Sequence, residues 1–115
     1  MEHTKNGVPL FNENNYALWK GRMEVYLLVQ GYKLWDTIQN GFTSTANEQG
    51  KKNLVNDAKS KNIIISGIIE SAYHKVLGCK TAKNLWASLI IYMQVTQMSK
   101  TQSFKSIEKN LSNLE

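Results

Sequence analysis

The chain has 115 residues, a formal net charge of +5 and a hydrophobic content of 42%. This length fits one domain, and the apolar content is sufficient for a packed core, which excludes a wholly disordered chain. No apolar run reaches the roughly 18 residues of a membrane span, and residues 1–10 lack the hydrophobic stretch of a secretion signal.

Residues 15–28, NYALWKGRMEVYLL, predict a helix with two apolar faces. One face carries Tyr16, Trp19, Met23, Tyr26 and Leu27, and the nearly opposite face carries Leu18, Val25 and Val29. Asn14 or Asn15 is expected to cap the start of this helix, and Gly31 to end it in the left-handed conformation that glycine adopts without strain. A helix with two apolar faces packs on two sides, so it lies at the centre of its domain or at an interface.

Residues 32–41, YKLWDTIQNG, predict a short second helix that directs Leu34, Trp35 and Ile38 inward and ends at Gly41. The FTSTANEQG stretch that follows is typical of a loop, because its Ser, Thr and Asn side chains compete for backbone hydrogen bonds.

A long third helix is predicted from about Glu48 to Ala72. Its inward face is expected to carry Leu54, Ala58, Ile65, Ile68, Ile69 and Ala72. The β-branched run IIISGII, residues 63–69, also fits a strand, but the helical period that continues from Leu54 favours a helix. Gly67 lowers helix stability by about 1 kcal/mol relative to alanine, so we expect a neighbouring helix to pack closely against it.

The next helices are a short turn in SAYHKVLGC, ended by Gly78, and a clear amphipathic helix capped by Thr81. The apolar face of the second of these carries Ala82, Leu85, Trp86, Leu89, Ile90 and Met93. All three tryptophans lie on apolar helical faces, so we expect a buried role for them rather than stacking on nucleobases. The predicted structural core is Tyr16, Trp19, Met23, Trp35, Leu85, Trp86 and Leu89.

A final helix is predicted over residues 99–115, whereas residues 1–9 are expected to be flexible. Its apolar face carries Phe104, Ile107, Leu111 and Leu114 and is still running at the last residue, which is typical of a fragment or of a helix completed by a partner. We expect these four residues to mediate self-association, in a dimer or a larger assembly. The alternative is that they fold back onto the second apolar face of the first helix and close a monomer.

Motifs for catalysis or metal binding are absent from the sequence. It has no GxxxxGK[ST] or GxGxxG loop, and His3, His74 and Cys79 stand without the spacing of a metal site. We therefore expect no enzyme activity, no metal and no cofactor. Cys79 is the only cysteine and cannot form an internal disulfide, which suits a reducing compartment and a cytoplasmic location.

The basic residues are spread along the chain, and Arg22 is the only arginine among them. A spread of lysines is typical of a solvated surface. Any binding of RNA through these lysines is therefore expected to be weak and dependent on salt.

Three segments carry a resemblance to a known family. They are LFNENNYALWKGRMEVYLL, LWDTIQNGF and CKTAKNLWASLIIYM. In this order they resemble the N-terminal part of the Gag polyprotein of plant Copia-type LTR retrotransposons. The matching residues are Leu10, Phe11, Asn15, Tyr16 and Trp19, then Trp35, then Thr81, Ala82, Lys83, Trp86 and Leu89. The sequence departs from many relatives in its YMQVTQM ending and lacks the Cys/His zinc knuckle that lies downstream in complete Gags.

The resemblance implies an all-α, retroviral-capsid-like domain of about five to six helices that spans residues 1–115. It also implies a structural self-assembly module that forms the capsid of a virus-like particle around the RNA of the element. The alternative is a domesticated, Gag-derived protein-binding adaptor with a groove between helices for an apolar peptide.

Overall fold

A computed structural model describes residues 7–11 and 16–96, and the described part of the chain is all-α, as predicted. It contains five helices and no β-strand. The helices are α1 (Tyr16–Gln30), α2 (Tyr32–Asn40), α3 (Glu48–Ser66), α4 (Glu70–Lys75) and α5 (residues 82–96). The predicted final helix and the predicted caps Asn14 and Asn15 lie outside the described residues.

Glycines end the first two helices in different ways. The N–H of Gly31 donates to the Leu27 carbonyl at 3.0 Å, but the φ angle of Gly31 is 164°, which is extended backbone. The predicted left-handed cap at Gly31 is therefore wrong, because the chain turns directly into α2. The left-handed glycine is Gly41, with a φ angle of 76° and an N–H that donates to the Thr37 carbonyl at 2.8 Å.

The predicted single helix from Glu48 to Ala72 is wrong, because the chain leaves the helix at Gly67 and resumes it at Glu70. The Gly67 carbonyl accepts hydrogen bonds from the Phe11 N–H at 2.8 Å and from the Trp19 indole at 3.1 Å. In a continuous helix this carbonyl accepts from the N–H four residues later. The break therefore frees the carbonyl for contacts with remote parts of the chain.

The predicted inward face of α3 is wrong in its first half. Leu54 and Ala58 are exposed, whereas Asp57 and Ser60 are buried. The Asp57 carboxylate accepts from the Ala82 N–H at 2.7 Å, and the Ser60 hydroxyl lies 3.2 Å from the Leu34 carbonyl. The Ser60 hydroxyl also donates to the Asn56 carbonyl of its own helix at 2.8 Å. Buried polar groups require such partners, and here they come from α3 itself as well as from α2 and α5.

Two side chains cap the start of α5. Thr81 accepts from the Asn84 N–H at 3.2 Å, as predicted for a capping threonine, and Asp57 adds its bond to Ala82. Lys61 reaches the same junction, with its Nζ 3.8 Å from the Asp57 carboxylate and 2.7 Å from the Lys80 carbonyl. α3 and α5 are thus joined by polar contacts as well as by apolar packing.

The core is centred on Trp19, whose side chain is fully buried. Its ring lies 5.8 Å from Phe11 and stacks on Trp86 at 5.6 Å, and Trp86 meets Trp35 edge-on at 5.6 Å. Of the predicted core residues, Trp19, Met23, Leu85 and Leu89 are buried, and Tyr16, Trp35 and Trp86 are partly buried against them. The three tryptophans therefore pack together, and only Trp19 is enclosed.

Candidate protein-contact surface

α1 buries one of its two apolar faces and exposes the other. Trp19, Met23 and Leu27 are fully buried. On the second face, Leu18 is 53% exposed and Val29 is 76% exposed. The described residues therefore cover one side of α1 and leave the other available for contact.

The exposed face forms one side of an open groove of about 640 Å³. We call it the α1 groove, and it is lined by Gly7, Pro9, Ala17, Leu18, Gly21, Arg22, Val25, Tyr26, Val29 and Gln30. Gly21 lies in the middle of the helix, and a Cβ atom added to it would meet no atom within 4 Å. The absence of a side chain at Gly21 thus adds to the open space of the groove.

The segment of residues 7–11 is anchored beside α1. Val8 and Phe11 are buried, and the Pro9 carbonyl accepts from the Trp19 indole at 3.1 Å. Part of the segment predicted to be flexible, Val8 and Pro9, is therefore packed against the core. This packing places Gly7 and Pro9 along the groove.

The chemistry of the groove suits binding rather than catalysis. Among the described residues, its lining contains no histidine, cysteine or carboxylate, and Arg22 is the one cationic side chain. Apolar side chains with a few polar groups at the edge are typical of contacts with another protein segment.

The predicted self-association residues Phe104, Ile107, Leu111 and Leu114 lie outside the described residues. Their predicted fold-back onto Leu18, Val25 and Val29 and their predicted contact with a second chain therefore both stay predictions.

His74 and Cys79 lie in ordinary surroundings. His74 is exposed, with its Nε2 3.4 Å from the Glu70 carboxylate, an acidic neighbour one helical turn away that the sequence interpretation overlooked. Cys79 is partly buried and contacts the Ser88 hydroxyl at 3.5 Å. Among the described residues, no group of three or more potential metal ligands occurs, and no helix has the length and apolar character needed to cross a membrane.

A second surface was missed by the sequence interpretation. Lys33, Lys51, Lys52 and Lys59 line one cleft between α2 and α3, although they are scattered along the chain. The sequence feature that indicates this cleft is the spacing of residues 52, 55, 56 and 59, which places them on one face of a helix.

Comparisons of the chain with models of protein families, with curated proteins and with solved structures found no match.

Proposed function

We propose that this chain is a structural self-assembly module of a Copia-type retrotransposon Gag from a plant, and that the α1 groove is a contact surface between its copies. The motifs in its sequence support this proposal. Phe11, Trp19, Trp35 and Trp86 all belong to the segments that resemble Gag, and they form one continuous row of aromatic contacts. The segments that carry the resemblance thus pack together as the centre of one domain.

The exposed apolar face of α1 is the observation that carries the proposal. Leu18, Val25 and Val29 are each more than half exposed on one helix, around the open space at Gly21. Full burial of a valine or leucine side chain contributes about 1.5–3 kcal/mol. Burial of this face against a second copy therefore supplies a driving force for association.

Sedimentation velocity over a range of concentrations tests the proposal. We expect the mass of the wild-type species to grow with concentration. The double variant Leu18→Asp with Val25→Asp is expected to be a folded monomer, because burial of a charge within a contact is costly. Leu77→Asp is the matched control, since Leu77 is 54% exposed and lies outside the groove. Equal association of the wild type and the double variant would exclude the α1 groove as the contact.

The adaptor is the second candidate, because the groove is concave. Its volume of about 640 Å³ lies in the range of ligand pockets, roughly 300–1,000 Å³. If the chain is an adaptor, it remains a monomer at high micromolar concentration and binds an amphipathic peptide. The double variant Leu18→Asp with Val25→Asp then binds this peptide more weakly. A monomer that binds no such peptide would contradict both functions.

A further inference from the structure

The cleft between α2 and α3 is strongly basic. It has a volume of about 510 Å³ and is lined by Lys33, Gln49, Lys51, Lys52, Val55, Asn56 and Lys59. We call it the lysine cleft. All four lysines are exposed, and Val55 is the one apolar side chain among the described lining residues.

α2 and α3 meet beside two of these lysines. Lys52 and Lys59 are seven residues apart on α3, about 10 Å along the axis at ~1.5 Å per residue. Lys33 lies on α2. The Ser60 hydroxyl donates to the Asn56 carbonyl of its own helix at 2.8 Å and also lies 3.2 Å from the Leu34 carbonyl of α2. Ser60 and Leu34 are the direct neighbours of Lys59 and Lys33. The two helices are therefore joined beside Lys33 and Lys59.

Acidic groups do not neutralise the cleft. Lys51 has a partner, the Glu48 carboxylate at 3.6 Å, but both side chains are largely exposed, so this pair is weak. Within the described part of the chain, Lys33, Lys52 and Lys59 have no ion pair. The described residues of the lining include no carboxylate. Like charges brought together in this way repel one another, and an anion that enters the cleft removes the repulsion.

We propose that the lysine cleft binds the phosphate backbone of a nucleic acid. Lysine binds phosphate as a compact positive charge, and the amide of Asn56 adds hydrogen-bond donors for phosphate or sugar oxygens. The described lining has no aromatic side chain on which bases stack, so the cleft binds the backbone without reading the sequence. An extended strand in the cleft contacts Lys33 on α2 and the lysines of α3 together, whereas a flat bilayer surface does not enter a cleft. This proposal is independent of the proposed self-assembly.

Fluorescence anisotropy with a labelled oligouridylate and the full chain tests the proposal. In single strands the slope of log K against log salt is about −0.7 per neutralised phosphate. The variant Lys52→Gln with Lys59→Gln therefore has a slope smaller in magnitude by about 1.4. If the two proteins bind equally at ~1 M salt, this variant binds about 25-fold more weakly than the wild type at ~0.1 M salt. Both positions are exposed, so circular dichroism is expected to show an unchanged fold.

The matched control is Lys75→Gln with Lys80→Gln, which removes the same charge from two exposed lysines outside the cleft. We expect this control to keep most of the affinity. The variant Lys52→Arg with Lys59→Arg is expected to retain binding, because it keeps both charges. Oligocytidylate is expected to bind as well as oligouridylate. Equal losses in the two glutamine variants would overturn the proposal, because net charge alone would then explain binding. Binding to anionic phosphatidylserine vesicles but not to the oligonucleotides would overturn it as well.

Discussion

The Trp19 indole donates a hydrogen bond to the Gly67 carbonyl at 3.1 Å, across 48 positions of the sequence. The same indole N–H lies 3.1 Å from the Pro9 carbonyl. This shared contact joins α1, the break between α3 and α4, and the segment of residues 7–11. It allows the largest side chain of the core to be fully buried without an unsatisfied donor.

Gly67→Ala is expected to destabilise the chain. A Cβ atom at this position would lie 2.5 Å from the Met23 methyl group and 2.5 Å from the Pro9 carbonyl oxygen. The methionine is able to move aside, but the carbonyl belongs to a backbone that is anchored to Trp19. Overpacking of this kind costs about 1–3 kcal/mol, which equilibrium unfolding in urea measures as a lower free energy of unfolding.

Gly21→Ala is the matched control for this prediction. The added methyl group meets open space in the interior of α1, so we expect a gain of about 0.5–1 kcal/mol from helix propensity. If both alanine variants change the free energy of unfolding by the same sign and amount, the tight packing at Gly67 has no energetic effect.

Trp19→Ala is expected to be more damaging than Trp86→Ala. Replacement of a buried tryptophan by alanine costs about 3–5 kcal/mol. Trp19 is fully buried and its indole N–H donates a hydrogen bond, whereas Trp86 is partly exposed. Thermal unfolding followed by circular dichroism compares the two melting temperatures. A lower melting temperature for the Trp86 variant would indicate that the core is centred on α5 instead.

Asp57→Ala is expected to lower the free energy of unfolding by about 1–3 kcal/mol, because the Ala82 N–H at the start of α5 loses its buried acceptor. Asp57→Asn keeps an acceptor oxygen and loses the attraction to Lys61, so we expect a smaller effect. Urea unfolding of the two variants measures the difference. An alanine variant as stable as the asparagine variant would contradict the capping role of Asp57.

Gly21→Leu separates folding from association. A Cβ atom at this position has no neighbour within 4 Å and opens into the α1 groove, so we expect the free energy of unfolding to be unchanged or higher. If a second copy occupies the groove, the filled groove weakens association, and sedimentation velocity measures a lower mass at the same concentration. Undiminished association would place the contact elsewhere on the chain.

The sequence by itself determined the helices whose apolar residues repeat at a helical period. Spacing over a few positions predicted the inward residues of α2 and α5 and the cap of α5. These are Leu34, Ile38, Leu85 and Leu89, and the cap Thr81. Such spacing predicts a helix and its buried face because residues three and four apart share one side of it. The two apolar faces of α1 were also visible, but spacing did not reveal which face the domain would leave exposed.

Only the tertiary structure decided the polar contacts between helices. Asp57 faces inward because its partner, the Ala82 N–H, arrives from a position 25 residues away. The Ser60 hydroxyl bonds within its own helix and also contacts the Leu34 carbonyl, 26 residues away. The helix ends at Gly67 because its carbonyl bonds to Trp19 and Phe11, and Lys33 reaches the lysines of α3 because α2 packs beside them. Periodicity describes near neighbours along the chain, whereas these contacts depend on which distant segments the path of the backbone brings together.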